Sequence, residues 1–291
     1  MRRTWIGLLP SLAFCLGAAN AQSRPAWHEK RQLPLDLEVG GEIAGVTPGS
    51  TRYISRDELL AMPQVSYTAS DDPNFAGPTR IGGVELEELA KQVGADPRWD
   101  MILAICDDKY LASYPLSYLA AHHPVLVLTV NGHPPASWPK AAEDHASDMG
   151  PYMISNPKFT PSFHVIAHVD EAQIPWGVVR IEFQQEKTVW GAIAPPGAHS
   201  GEREVQDGFQ IARQNCFRCH NAGHEGGQKS GVSWESLAES AARSSEHFSN
   251  YIRAPLKQNP RAQMPGNPEY DDATLRALTA YFRSLAQTQK P

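Results

Sequence analysis

The sequence predicts two domains: an α+β domain dominated by strands, followed by an all-α domain. Three observations predict this. Short apolar runs bounded by turn residues dominate up to residue 186, and apolar positions at helical spacing dominate after residue 201. Between them, Gly191, Pro195, Pro196 and Gly197, with Gly201 alongside, break any periodicity, so residues 187–201 read as a linker. The front domain then covers residues 34–186 and the rear domain residues 202–291.

The elements follow in order. Ser55-Arg56-Asp57-Glu58 opens a short helix, with a serine cap and acids in its first turn. Val84 to Val93 carries a helix with Leu86, Leu89 and Ala90 on one face. Val125 to Val130 is a buried strand that runs into the tight turn Asn131-Gly132. Trp176 to Phe183 ends in period-two alternation and reads as the closing strand. Behind the linker come helices over Glu202–Asn215, Trp234–Ala242 and Ser245–Ile252. The strongest is Asp271–Gln287, with Leu275, Leu278, Tyr281, Phe282 and Leu285 on one face and acids at its start. No internal repeat is visible.

The N-terminus reads as a secretory leader over residues 1–21. Arg2 and Arg3 precede a short apolar run from Ile6 to Leu16, and Ala19-Asn20-Ala21 offers a cleavage site. The run is too short for a membrane span. Cys15 follows the bulky Phe14, which disfavours a lipid-anchored reading. Cleavage removes two arginines and no acids, moving the formal charge from −6 to −8. That balance excludes an electrostatic case for nucleic-acid or anionic-membrane partners. The acidity lies in front, because residues 201–291 carry 11 basic and 10 acidic side chains. The expected compartment is the periplasm.

Cys216-Phe217-Arg218-Cys219-His220 is the one motif with a specific chemistry. C-x-x-C-H is the attachment site of a c-type haem: two thiols add across the porphyrin vinyls and the next imidazole takes an axial iron position. A redox dithiol would want a βαβ context and a zinc site a second ligand pair, and neither is visible. One covalently bound haem c is therefore expected. Cys106 is left alone, so the processed chain has no internal disulfide to form.

Along residues 202–287 the rear domain resembles a class I c-type cytochrome. Gly208, eight residues before Cys216, stands where that family crosses its first and last helices closely. Tyr281 stands where the last helix places an aromatic on the crossing. Met264, in Gln263-Met264-Pro265-Gly266 and 44 residues beyond His220, matches the loop methionine that supplies the second axial ligand. His224 and His247 are the competing donors. One departure is clear: where the family often has Gly-Pro-Leu, this chain has Ser230-Gly231-Val232-Ser233-Trp234, so another carbonyl must orient His220. His/Met ligation fills both axial positions and implies electron transfer with redox protein partners, a dehydrogenase donor or a terminal acceptor.

Residues 34–186 resemble, less closely, the molybdopterin-binding domain of the sulfite oxidase family. The resemblance rests on Ile81-Gly82-Gly83-Val84-Glu85-Leu86, on Ala104-Ile105-Cys106-Asp107-Asp108-Lys109-Tyr110 with Pro115-Leu116, and on Asn131-Gly132-His133-Pro134. Catalytic members ligate molybdenum through a cysteine before the Gly-Val-x-Leu helix, where this chain has Val65-Ser66-Tyr67-Thr68-Ala69-Ser70-Asp71. Cys106 falls too late and reads as a buried hydrophobe. The resemblance thus implies a scaffold without molybdopterin that serves as a docking module. The alternative is a molybdenum-dependent oxidoreductase passing electrons to its own haem. His164 and His168, His122-His123 and Asp144-His145 read as surface or interface groups, for want of a third ligand.

Overall fold

A computed structural model of the chain describes residues 25–70, 72, 74–139, 149–157 and 171–287. The expected leader and the His164/His168 and Asp144-His145 pairs lie outside them. Among the described residues, no helix is long and apolar enough to cross a membrane.

Two sheets build the front domain. The first runs β2 (Arg52–Ile54), β1 (Leu37–Gly41), β9 (Val178–Gln184), β5 (Met101–Cys106), β6 (Leu111–Pro115). In it β1 and β9 are parallel and every other pair is antiparallel. The second runs β3 (Val65–Ala69), β4 (Thr79–Glu85), β7 (Val125–Val130), β8 (Met153–Ser155), antiparallel throughout. Three short helices connect these strands: α1 (Arg56–Ala61), α2 (Leu86–Val93) and α3 (Leu116–His122). The Ser55 cap forms as read: its hydroxyl accepts from the Glu58 N–H, and the Glu58 carboxylate accepts from the Ser55 N–H in return. Asn131 and Gly132 both take positive φ, at 52° and 80°, as a tight turn there requires. Val84 and Glu85 correct the helix expected over Val84–Val93. They finish β4 by pairing with Leu126 and Val125, and the helix starts only at Leu86.

Strand β5 shows why the two domains hold together. Successive side chains on a strand point to opposite faces. Ile102, Ala104 and Cys106 therefore enter the front core, beside Leu37, Tyr114 and Phe183. Met101 and Leu103, with the half-buried Ile105, enter a second core made chiefly of the rear helices. The sheet is thus covered on both faces, which an uninterrupted Met-Ile-Leu-Ala-Ile-Cys run requires.

The rear domain contains α4 (Glu186–Gly191), α5 (Arg203–Asn215), α6 (Trp234–Arg243), α7 (Ser245–Arg253), α8 (Pro255–Gln258) and α9 (Asp272–Gln287), with a small antiparallel pair β10 (Asn221–Ala222) and β11 (Glu225–Gly226). Helices α5 and α9 cross at Gly208. A Cβ there would overlap the Ala277 carbonyl and come within 2.7 Å of the Tyr281 Cβ, so only glycine lets the backbones meet. The segment expected as a linker is ordered in its first half. Helix α4 buries Val189 and Trp190, Ile193 follows them into the rear core, and Arg213 stacks 3.9 Å over the Trp190 ring. A helix of under two turns is too short to display a period in sequence, which is why the glycines and prolines beside it dominated the reading.

Candidate functional site

Helix α5 delivers the C-x-x-C-H motif at its C-terminal end. Cys216 to Arg218 form a single 3₁₀ turn, and the backbone N–H groups of Cys219 and His220 both donate to the Cys216 carbonyl, at 3.2 and 3.0 Å. That closure puts both thiols and the imidazole on one turn. Burial pushes the Cys216 thiol up to about 12 and raises Cys219 as well, so neither rests as a thiolate. A dithiol redox centre wants the opposite, a thiolate stabilised at neutral pH.

His220 is 9% exposed, and its Nδ1 donates to the Val232 carbonyl at 2.7 Å. A carbonyl can only accept, so the proton sits on Nδ1 and Nε2 keeps its lone pair. Burial lowers the pKa of the ring against a smaller opposing effect from that hydrogen bond, which favours the neutral, ligating form. The orienting carbonyl missing from the family pattern is therefore supplied by Val232, within the divergent stretch itself.

Met264 lies in the loop between α8 and α9, half-buried against the rear core. The Asn267 N–H donates to the Ile252 carbonyl at 3.1 Å and ties this loop to α7. The rival donors fare differently. His224 and His247 are both exposed, the latter facing Tyr251 with ring centroids 6.1 Å apart. Phe217, Trp234, Tyr281 and Phe282 form the packed aromatic wall behind the motif. Trp234 is core: its indole N–H donates to the Tyr281 hydroxyl at 3.0 Å, and that hydroxyl donates on to the Ile193 carbonyl.

The donor set is two thiols on one turn, an imidazole with one nitrogen held and one free, and a half-buried thioether in a pinned loop. It fits a covalently attached haem.

Among its described residues, the front domain shows no comparable convergence. Cys106 is 3% exposed on β5, and burial, with Asp108 and Asp107 nearby, drives its thiol far above the usual range. His122 corrects the surface reading: it is buried, its ring tilted against Tyr118 with centroids 4.5 Å apart. His123 is half-buried, with Nδ1 3.2 Å from a Glu87 oxygen. Sequence reasoning missed that Glu85, Glu87 and His123 each bring one ligand atom within 4.8 Å of the others, a surface cluster separated by more than 30 positions in the chain.

It also missed the contacts between the domains at the motif. The turn after β5 reaches over the C-x-x-C-H segment. Gln228 N–H donates to the Lys109 carbonyl at 3.0 Å, and Lys229 pairs with Asp108 at 2.5 Å. Arg218 donates from Nη2 to the Ala172 carbonyl at 3.0 Å. Gln173 spans both sides: its side-chain amide donates to Gln214 Oε1 at 3.0 Å, and its carbonyl accepts from the Tyr114 hydroxyl at 2.9 Å.

Residues 203–282 match the family described as Cytochrome C oxidase, cbb3-type, subunit III. The rear of the chain carries a cytochrome c domain. Such a domain implies haem c, electron transfer and redox protein partners. No curated protein matches the chain. Among solved structures it is similar to the sulfane dehydrogenase SoxCD from Paracoccus pantotrophus. The identity there is 15%, with a TM-score of 0.36, over 54% of this chain and 40% of that one. The likeness spans under half of that chain and is too slight to assign the front domain.

Proposed function

We propose that this chain is an exported mono-haem cytochrome c that carries single electrons between redox proteins in the periplasm. Cys216 and Cys219 hold the haem by thioether bonds, and His220 and Met264 are its axial ligands. The observation that carries this reading is the Val232 carbonyl on His220 Nδ1, inside a C-x-x-C-H turn, because it fixes the ring with Nε2 as the free donor.

Bound haem supplies a one-electron Fe(III)/Fe(II) couple. The protein does the rest. The Val232 carbonyl holds His220 in a single orientation, so its Nε2 would be presented to a bound haem iron without rearrangement of the ring. Met264 contributes a soft sulfur that favours the reduced state. The close-packed wall of Phe217, Trp234, Tyr281 and Phe282 resists movement around the site. The basic start, apolar run and A-x-A site of residues 1–21 support export.

The front domain serves as a sulfite-oxidase-like scaffold without molybdopterin, acting as a docking module. Supporting this, no cysteine stands in Val65–Asp71, and Cys106 is protonated and turned into the front core. Metal analysis of the purified protein tests the whole reading. The expected result is iron near one per chain, covalently bound haem and no molybdenum. Stoichiometric molybdenum would overturn the carrier in favour of an oxidoreductase that feeds its own haem.

A further inference from the structure

We propose that Arg218 is a half-buried cation, seated by the front domain, that biases the haem held at Cys216 and Cys219 toward its reduced state. The inference rests on the haem reading above and adds a role for the front domain within it.

Arg218 lies between the two attaching cysteines, so its charge belongs to the edge of the site. A charge exposed to water acts weakly at a distance. Here the side chain enters the seam between the domains. Its hydrogen-bond acceptor there, the Ala172 carbonyl, comes from the front domain and is neutral, so it holds the guanidinium without cancelling its charge. Its Nε is wholly enclosed, with no acceptor. Removal from water lowers the effective dielectric around the cation and lengthens its reach.

Among the described residues, the other charges facing this seam include Glu171, Lys229 and Asp108. Lys229 and Asp108 pair with each other. Glu171 acts on Arg218 and on Tyr270, whereas Cys216 feels Arg218, and Cys219 feels both Lys229 and Arg218 against Asp108. Lys229 is balanced by Asp108 and Arg218 is held by a neutral carbonyl, so the charge that Arg218 brings to the attaching cysteines is positive. Reduction adds one electron from a redox partner to Fe(III), and a positive field stabilises the product.

Spectroelectrochemical titration of the full-length holoprotein tests this. At a fixed potential, Arg218→Gln should raise the Fe(III)/Fe(II) ratio by about tenfold, which is about 59 mV for a one-electron couple. Arg218→Lys should keep most of the original midpoint. Glu171→Gln, which removes the opposing anion, should move the midpoint the other way, and this test stands even where Arg218→Gln fails to fold. An unchanged midpoint in Arg218→Gln, an equal fall in Arg218→Lys, or a fall in Glu171→Gln overturns the inference. Absence of covalent haem from the unmodified protein would instead overturn the reading beneath it.

Discussion

Two cores meet at β5, and they treat their polar groups differently. The rear core surrounds a histidine whose ring is held by one backbone carbonyl, with two thiols on the same turn and a thioether in a nearby loop. The front core buries Leu37, Val39, Ile102, Tyr114 and Phe183 around a protonated cysteine, and its polar contacts there, such as Tyr114 to Gln173, tie backbone rather than present a donor. One domain spends buried polarity on a free ligand atom; the other spends it on holding shape. The difference teaches where to look for chemistry in a two-domain chain: at buried groups that keep an unused lone pair, rather than at every buried polar residue.

The sharpest way to break this contrast is His220→Ala. Losing the only imidazole on the attachment turn should abolish the normal low-spin haem spectrum, and retention of that spectrum would place the proximal ligand elsewhere. Next in size is Met264→Ala. The thioether should give a weak far-red charge-transfer band on ferric haem; the variant should lose it, fall in midpoint potential and bind added small ligands at the vacated position. A bis-histidine spectrum in the unmodified protein would point to His224 or His247 instead.

Gly208→Ala tests packing rather than ligation. Its methyl group meets backbone at the Ala277 carbonyl, which cannot swing aside as a side chain can. Overpacking of this kind costs about 1–3 kcal/mol, read as a lower melting temperature with the haem spectrum unchanged. The smallest effect is expected from Cys106→Ser, which should leave haem content and midpoint alone and shift only stability. Lost electron transfer with haem retained in that variant would sink the scaffold reading and return molybdenum to consideration.

Much of the rear domain was legible in the sequence because its signals are local. A C-x-x-C-H pentapeptide, a glycine eight residues upstream and a helix with five apolar residues on one face each sit within a few turns of chain. The Val232 carbonyl was not legible, since every residue carries a carbonyl and only the fold selects one. His122 was misread because its neighbour Tyr118, one helical turn away, supplies an apolar face that a polar residue type conceals. The seam between domains was hidden for the opposite reason. Asp108, Tyr110 and Ala172 are remote from Arg218 and Lys229 in sequence, and no periodicity links them. One clue did exist: Met-Ile-Leu-Ala-Ile-Cys is apolar at consecutive positions, which a strand with one wet face would not tolerate.

That strand has a consequence for anyone who would divide the protein. Separating the halves would leave Met101, Leu103, Leu111, Val189, Trp190 and Ile193 on the front fragment without the rear helices that cover them, and would uncover the apolar faces of those helices on the other, trading one dry interior for two sticky surfaces. A protease that nicks the chain between Ala194 and Gly201 should leave both pieces clinging together, and a truncated cytochrome expressed alone should precipitate rather than report the behaviour of the parent.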